Sequence, residues 1–157
     1  MRVAAWPLTA LLLLGACTAT APAPPPPPPM VDLPASAPEV RAKVIRLLEA
    51  RGFTIRSQSD TDLEAVLDNH PPLGYAKCPT VWTRPPDSDS SQRRRATPLA
   101  RATMVRVQIV PTEGGTRVVI VASHAEQQRN TLANQLFTVG CKTTGVLERE
   151  LAEALRG

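Results

Sequence analysis

The stretch "TMVRVQIVPTEGGTRVVIVASH", residues 103–124, decides the fold. Val105, Val107 and Ile109 alternate with Arg106 and Gln108. A period of two puts the apolar side chains on one face and the polar ones on the other, as in a half-buried strand. Residues 111–115, "PTEGG", carry the residues of a tight turn. The returning segment is apolar without interruption from Val118 to Val121, as in a more central strand. A long β-hairpin is expected here, and the rest of the domain is read outward from it.

Upstream, Ser36-Ala37-Pro38-Glu39 reads as a capping box with proline in the first helical turn. Val40, Val44, Leu47 and Leu48 form one apolar stripe, and Arg51-Gly52 ends the helix. In "GFTIRSQ", Phe53 and Ile55 alternate with Thr54 and Arg56 as in a strand. "DLEAVLD", residues 62–68, is read as a strand pairing back across Ser59-Asp60-Thr61, with a single helical turn as the alternative. A further strand is expected around residues 81–83, followed by a polar, mobile loop over residues 87–95, "DSDSSQRRR". Downstream, "TTGVLERELAEALRG" predicts a closing helix capped by Thr143 or Thr144. Leu147, Leu151, Ala154 and Leu155 share its apolar face, while Glu148, Glu150 and Glu153 are assigned to solvent. The expected fold of residues 36–157 is α+β. It is a two-layer sandwich in which an antiparallel sheet of about 3–5 strands carries an N-terminal and a C-terminal helix on one face.

This order of a helix, "ARGFTIRSQSDTDLEAVL", a long hairpin and a closing helix resembles the helix-grip domains of small accessory lipoproteins of the outer-membrane β-barrel assembly machinery. The resemblance implies an interaction or assembly role and carries no site residues with it.

The N-terminus has its own signature. Met1-Arg2 is followed by residues 3–14, apolar apart from Thr9. That run of about 12 is short of the roughly 20 needed to span a bilayer and fits the core of a secretory signal. It ends in Leu14-Gly15-Ala16-Cys17, which resembles the lipobox of bacterial lipoproteins. The resemblance implies that residues 1–16 are removed as a signal peptide and that the Cys17 sulfur carries lipid, with palmitate-type acylation of the new amino group. Two or more chains make a stable membrane anchor. Thr18 stands where an Asp would resemble an inner-membrane retention signal, so the expected address is the outer membrane, facing the periplasm. Residues 17–35 are then a tether, and its six consecutive prolines at 24–29 favour a semi-rigid polyproline II spacer.

With Cys17 assigned to lipid, Cys78 and Cys141 remain as an even pair. In an oxidising compartment such a pair suggests a disulfide. A Cys–His catalytic pair with His70 or His124 is the other use of these residues, but neither cysteine sits in nucleophile-like surroundings. No C-x-x-C or H-x-x-x-H spacing points to a metal, and no phosphate-cradling glycine loop to a cofactor. Arg93, Arg94 and Arg95 form one basic run, readable as a solvated loop tip or as a contact with anionic lipid head groups.

Composition narrows the role further. The chain has 157 residues, a net charge of +4, 17 prolines and only 3% aromatic residues. A concentrated basic face and aromatic stacking platforms, the marks of nucleic-acid binding, are not evident. The expectation is a non-enzymatic, lipid-anchored envelope protein that binds an envelope protein partner. A lipid- or envelope-polymer-binding protein is the alternative, with its ligand in a groove between helices and sheet.

Overall fold

The hairpin is longer at its open end than the alternation in residues 103–124 marks. In the computed structural model, which describes residues 27–70, 74–83, 94–130 and 134–157, its arms are β7 (Thr97–Thr112) and β8 (Gly115–Asn130), 16 residues each. They stay paired from Thr112↔Gly115 to Thr97↔Arg129, with one register shift between Pro98 and Ala100. Gly115 has φ +146°, and a Cβ there would sit 2.1 Å from the Leu33 carbonyl oxygen. Only glycine satisfies both the dihedral and the close backbone approach.

Around this hairpin the other strands add in antiparallel fashion. β2 (Thr54–Gln58) pairs with β3 (Asp62–His70), and β3 pairs with β7. On the other side β8 is long enough for two partners. β1 (Met30–Leu33) takes Thr116 to Val119, and β9 (Gln135–Thr143) takes His124 to Asn130. β4 (Ala76–Lys77) closes on β9, giving a seven-stranded sheet. β5 (Trp82–Thr83) and β6 (Arg94–Arg95) form a separate two-stranded ribbon.

The expected sandwich of three to five strands is therefore corrected: the domain is dominated by a seven-stranded antiparallel sheet, with two short helices. The additional strands are very short or lie at an edge of the sheet. β9, "QLFTVGCKT", lies at an edge, and all nine of its residues keep some solvent contact. Its two-residue period is shallow, with Phe137, Val139 and Cys141 only half-buried between exposed neighbours. β1 is flanked by prolines and falls within the stretch read as tether, yet its Val31 and Leu33 are buried. The sheet thus starts at Met30, upstream of Ser36.

Helix α1 (Ala37–Ala50) starts as its sequence dictates: the Glu39 carboxylate accepts both the backbone N–H of Ser36 (3.0 Å) and its hydroxyl (2.7 Å). Its end is a Schellman turn. Gly52, at φ +83°, donates to Glu49 O, and Phe53 donates to Leu48 O. Helix α2 (Val146–Arg156) begins after Gly145, not after a threonine cap. Thr143 Oγ1 instead accepts the Gly145 N–H at 3.0 Å. One core joins Val40, Val44 and Leu48 of α1, Leu147, Leu151 and Leu155 of α2, Val31 and Leu33 of β1, and Val105, Val107, Ile109, Val118 and Ile120 of the hairpin. Each such side chain contributes roughly 1.5–3 kcal/mol by leaving water.

Candidate functional site: a buried polar cluster on β8

The alternation that opens β8 does not stop where its apolar residues stop. Thr116, Val118, Ile120 and Ala122 are buried, and so are the next four even-numbered residues, His124, Glu126, Gln128 and Asn130, at 6%, 2%, 2% and 4% exposure. One face of one strand thus changes from apolar to polar while remaining covered. Burying such groups is costly unless each finds a partner.

Most of them do. Arg101 of β7 donates to Glu126 at 2.7 Å, and this ion pair is nearly desolvated, with side chains 16% and 3% exposed. Gln128 Nε2 donates to Glu126 Oε1 (2.7 Å) and to the Pro79 carbonyl (2.8 Å), while its Oε1 accepts the Val81 N–H (3.1 Å). The cover over this end of the sheet is therefore the irregular segment around residues 79–81, fastened by Gln128 as a helix would be fastened by leucines. That segment continues into β5, and Val81 O accepts the Ala96 N–H beside β6.

At the junction of the two halves sits a second polar chain. The Thr103 hydroxyl lies 2.9 Å from His70 Nε2 and 2.8 Å from His124 Nδ1. A hydroxyl has one proton, so in this chain it donates to one ring and accepts from the other. His124 Nε2 and Glu148 Oε2 are buried with no hydrogen-bond partner among the described residues. Burial pushes the His124 pKa below its ordinary value. Glu148 pulls it upward, and His70 and Arg101 push it further down. Burial thus disfavours the charged form of this histidine. Glu148, assigned to solvent from sequence, is 4% exposed, and its Oε1 accepts the Thr143 hydroxyl at 2.9 Å.

The cysteines lie on the same row. His124 faces Cys141 across the β8–β9 ladder. One step beyond the β4 register, Cys78 reaches Cys141 with the sulfurs at disulfide distance, 2.05 Å. That link would tie the covering segment to β9 just before Pro79. Both histidines bond the Thr103 hydroxyl rather than a thiol.

The remaining residues singled out from sequence are not brought to this cluster. Cys17 and Arg93 lie outside the described residues, while Arg94 and Arg95 form β6, where exposed Arg95 faces Trp82. The expected mobile loop thus ends in a strand, its earlier part, residues 87–93, lying outside the described residues. Trp82 is 60% exposed. Between helices and sheet the core leaves a cavity of about 290 Å³, lined by Arg51, Phe53, Leu67, Tyr75, Leu147 and Glu150. A cavity of about 430 Å³ lies on the opposite face, over Glu64, Arg106, Gln108 and Val121. Among the described residues no three His, Cys, Asp or Glu side chains converge as metal ligands, and no helix is long and apolar enough to cross a membrane.

Sequence reasoning missed Glu126, Gln128, Asn130 and Glu148 as interior groups. The available signal was positional: they continue the even-numbered face of β8, or follow Leu147 on α2. No protein-family model, no curated protein and no solved structure matches the chain.

Proposed function

We propose that the chain is an envelope lipoprotein, anchored through Cys17 in the outer membrane and facing the periplasm, whose domain is a non-catalytic interaction or assembly module. The observation that carries this reading is the order charge, apolar run, Leu14-Gly15-Ala16-Cys17 and proline-rich spacer at the N-terminus. The domain adds support of a different kind. Within its polar interior, Gln128 holds the covering segment through Pro79 and Val81, and Glu126 braces Gln128 and pairs with Arg101. Groups so engaged support the segment that covers them. The ribbon at residues 82–83 and 94–95, with exposed Trp82 opposite Arg95, suits the anionic head-group contact assigned to the arginine run, since an indole and a guanidinium partition together at such a surface.

Metabolic labelling with palmitate tests the anchor. The full chain is expected to take up label and sediment with membranes, and Cys17→Ser is expected to lose both. Label uptake unchanged in Cys17→Ser would overturn it. Affinity capture of the lipidated chain from gently solubilised membranes tests the module: an envelope protein recovered reproducibly, and lost with variants of the domain surface, is expected. Recovery of background proteins alone would count against it.

A further inference from the structure

Among the described residues, the outer edge of β9 is unpaired over most of its length. β8 pairs with its inner edge from Gln135 to Cys141, while β4 takes its outer edge only at Lys142 and Thr143. Among the described residues the backbone of 135–140 has no partner on that side. Edges of this kind are ordinarily protected by charge, proline, a bulge or brevity. The opposite edge strand, β2, has such protection in Arg56 and a register shift between Ile55 and Ser57. Residues 135–141, "QLFTVGC", contain no charge and no proline.

We propose that this edge pairs antiparallel with the same edge of a second copy of the chain, with Thr138 on the two-fold axis. The sequence of β9 is complementary to itself about that residue. With Thr138 facing Thr138, Leu136 faces Gly140 of the other copy, and Phe137 faces Val139, each twice by symmetry. Leu136, Thr138 and Gly140 lie opposite Arg129, Gln127 and Ala125 on the outer face. Leu136 is 58% exposed, and a side chain at Gly140 would meet nothing within 4 Å. The projecting leucine of each copy therefore has an open notch to cover. On the inner face the half-buried Phe137 and Val139 form aromatic–aliphatic cross-strand pairs, which stabilise sheets. No like charges are opposed, which a homotypic pairing requires.

The free run is bounded at both ends, which fixes the register. Cys78 stands beside Cys141 at one end, and Asn134, at φ +50°, turns the chain away at the other. Five residues per copy form a small contact, so the dimer is weak and best read by trapping. The inference goes beyond the proposed function and does not depend on the anchor.

The full chain carrying Thr138→Cys tests it. Residues on the axis of an antiparallel pair bring their Cα atoms within about 4.5–5.5 Å, a separation a disulfide spans. A non-reducing gel is expected to show a dimer, and peptide mass is expected to show the two introduced thiols joined to each other. Gln127→Cys, exposed but one strand further in, is expected to stay monomeric. Adding Leu136→Lys, a surface change, is expected to lower Thr138→Cys crosslinking at least fivefold. No dimer from Thr138→Cys, equal dimer from Gln127→Cys, or a crosslink to a different protein would each overturn the pairing.

Discussion

The inner face of β8 carries two different cores end to end. Between Thr116 and Ala122 it is apolar and packs into the cluster that includes α1 and α2. Between His124 and Asn130 it is polar and packs under the segment around residues 79–81. The difference lies in what covers each half. A helix satisfies its own backbone, so its covered strand needs only shape and hydrophobicity. An irregular segment brings unpaired N–H and C=O groups, so the strand beneath must supply partners. Gln128, reaching Val81 N–H and the Pro79 carbonyl at once, performs for the distal half what Ile120 performs for the proximal half.

The strongest way to break this comparison is to release the distal cover. Cys78→Ser with Cys141→Ser opens a link closing about 64 residues, which the chain-entropy argument values at about 4 kcal/mol. Denaturant unfolding of the oxidised protein is expected to show that loss. Amide exchange is expected to place the loosening in residues 75–83 and 124–130, with 116–122 still protected. Uniform loss of protection along β8 would show that the two halves are one cooperative unit.

A finer contrast sets one side chain against another. Ile120→Ala, at a site 1% exposed, removes apolar packing and is expected to cost about 3 kcal/mol. Gln128→Ala strands the Val81 N–H and the Pro79 carbonyl and is expected to cost about 2 kcal/mol. The second should also weaken protection of the covering segment, and the first should not. If Gln128→Ala proves neutral in urea titrations, the polar half is not held by these bonds.

These two halves are unequally legible in the sequence. The proximal one is visible because Val118 to Val121 are apolar without interruption and follow the alternating Val105, Val107 and Ile109 of β7, hydrophobicity being the property that burial normally selects. The distal one keeps the same geometry with residues that composition assigns to solvent. Glu148 is hidden likewise, since a glutamate on an amphipathic helix is ordinarily wet. Its burial follows from a partner, Thr143, that only the tertiary fold brings to it. Cys78 and Cys141 are legible as a pair by counting alone, and the fold adds why they meet: β4 and β9 pair in a register that ends on them. β1 and β9 are not legible, because β1 offers only Val31 and Leu33 beside a proline run and the period of β9 is shallow and interrupted by the exposed Leu136.

The junction of the two cores offers the smallest and most specific effect. His124 is kept below its ordinary pKa of 6.5 chiefly by burial, with His70 and Arg101 pushing the same way and Glu148 opposing them. Above pH 6.5 the histidine is neutral folded and unfolded, and it contributes nothing to the pH dependence. As pH falls below that value the unfolded chain takes up the proton first, so stability falls until pH drops through the folded-state pKa, where the loss levels off. One group limits the slope to about 1.4 kcal/mol per pH unit. Asp32 and Glu39, whose pKa values are lowered by Arg117 and Ser36 respectively, add their own losses only at lower pH, below ordinary values of 3.8 and 4.5. Urea midpoints measured between about pH 7 and 5 are therefore expected to decline in the wild-type protein. His124→Gln keeps a polar group for Thr103 but cannot titrate, so its midpoint is expected to be lower at about pH 7 and level across the same window. An undiminished decline in that variant would assign the pH dependence to another group. It would also remove the reason for treating this histidine as the seam between the two cores.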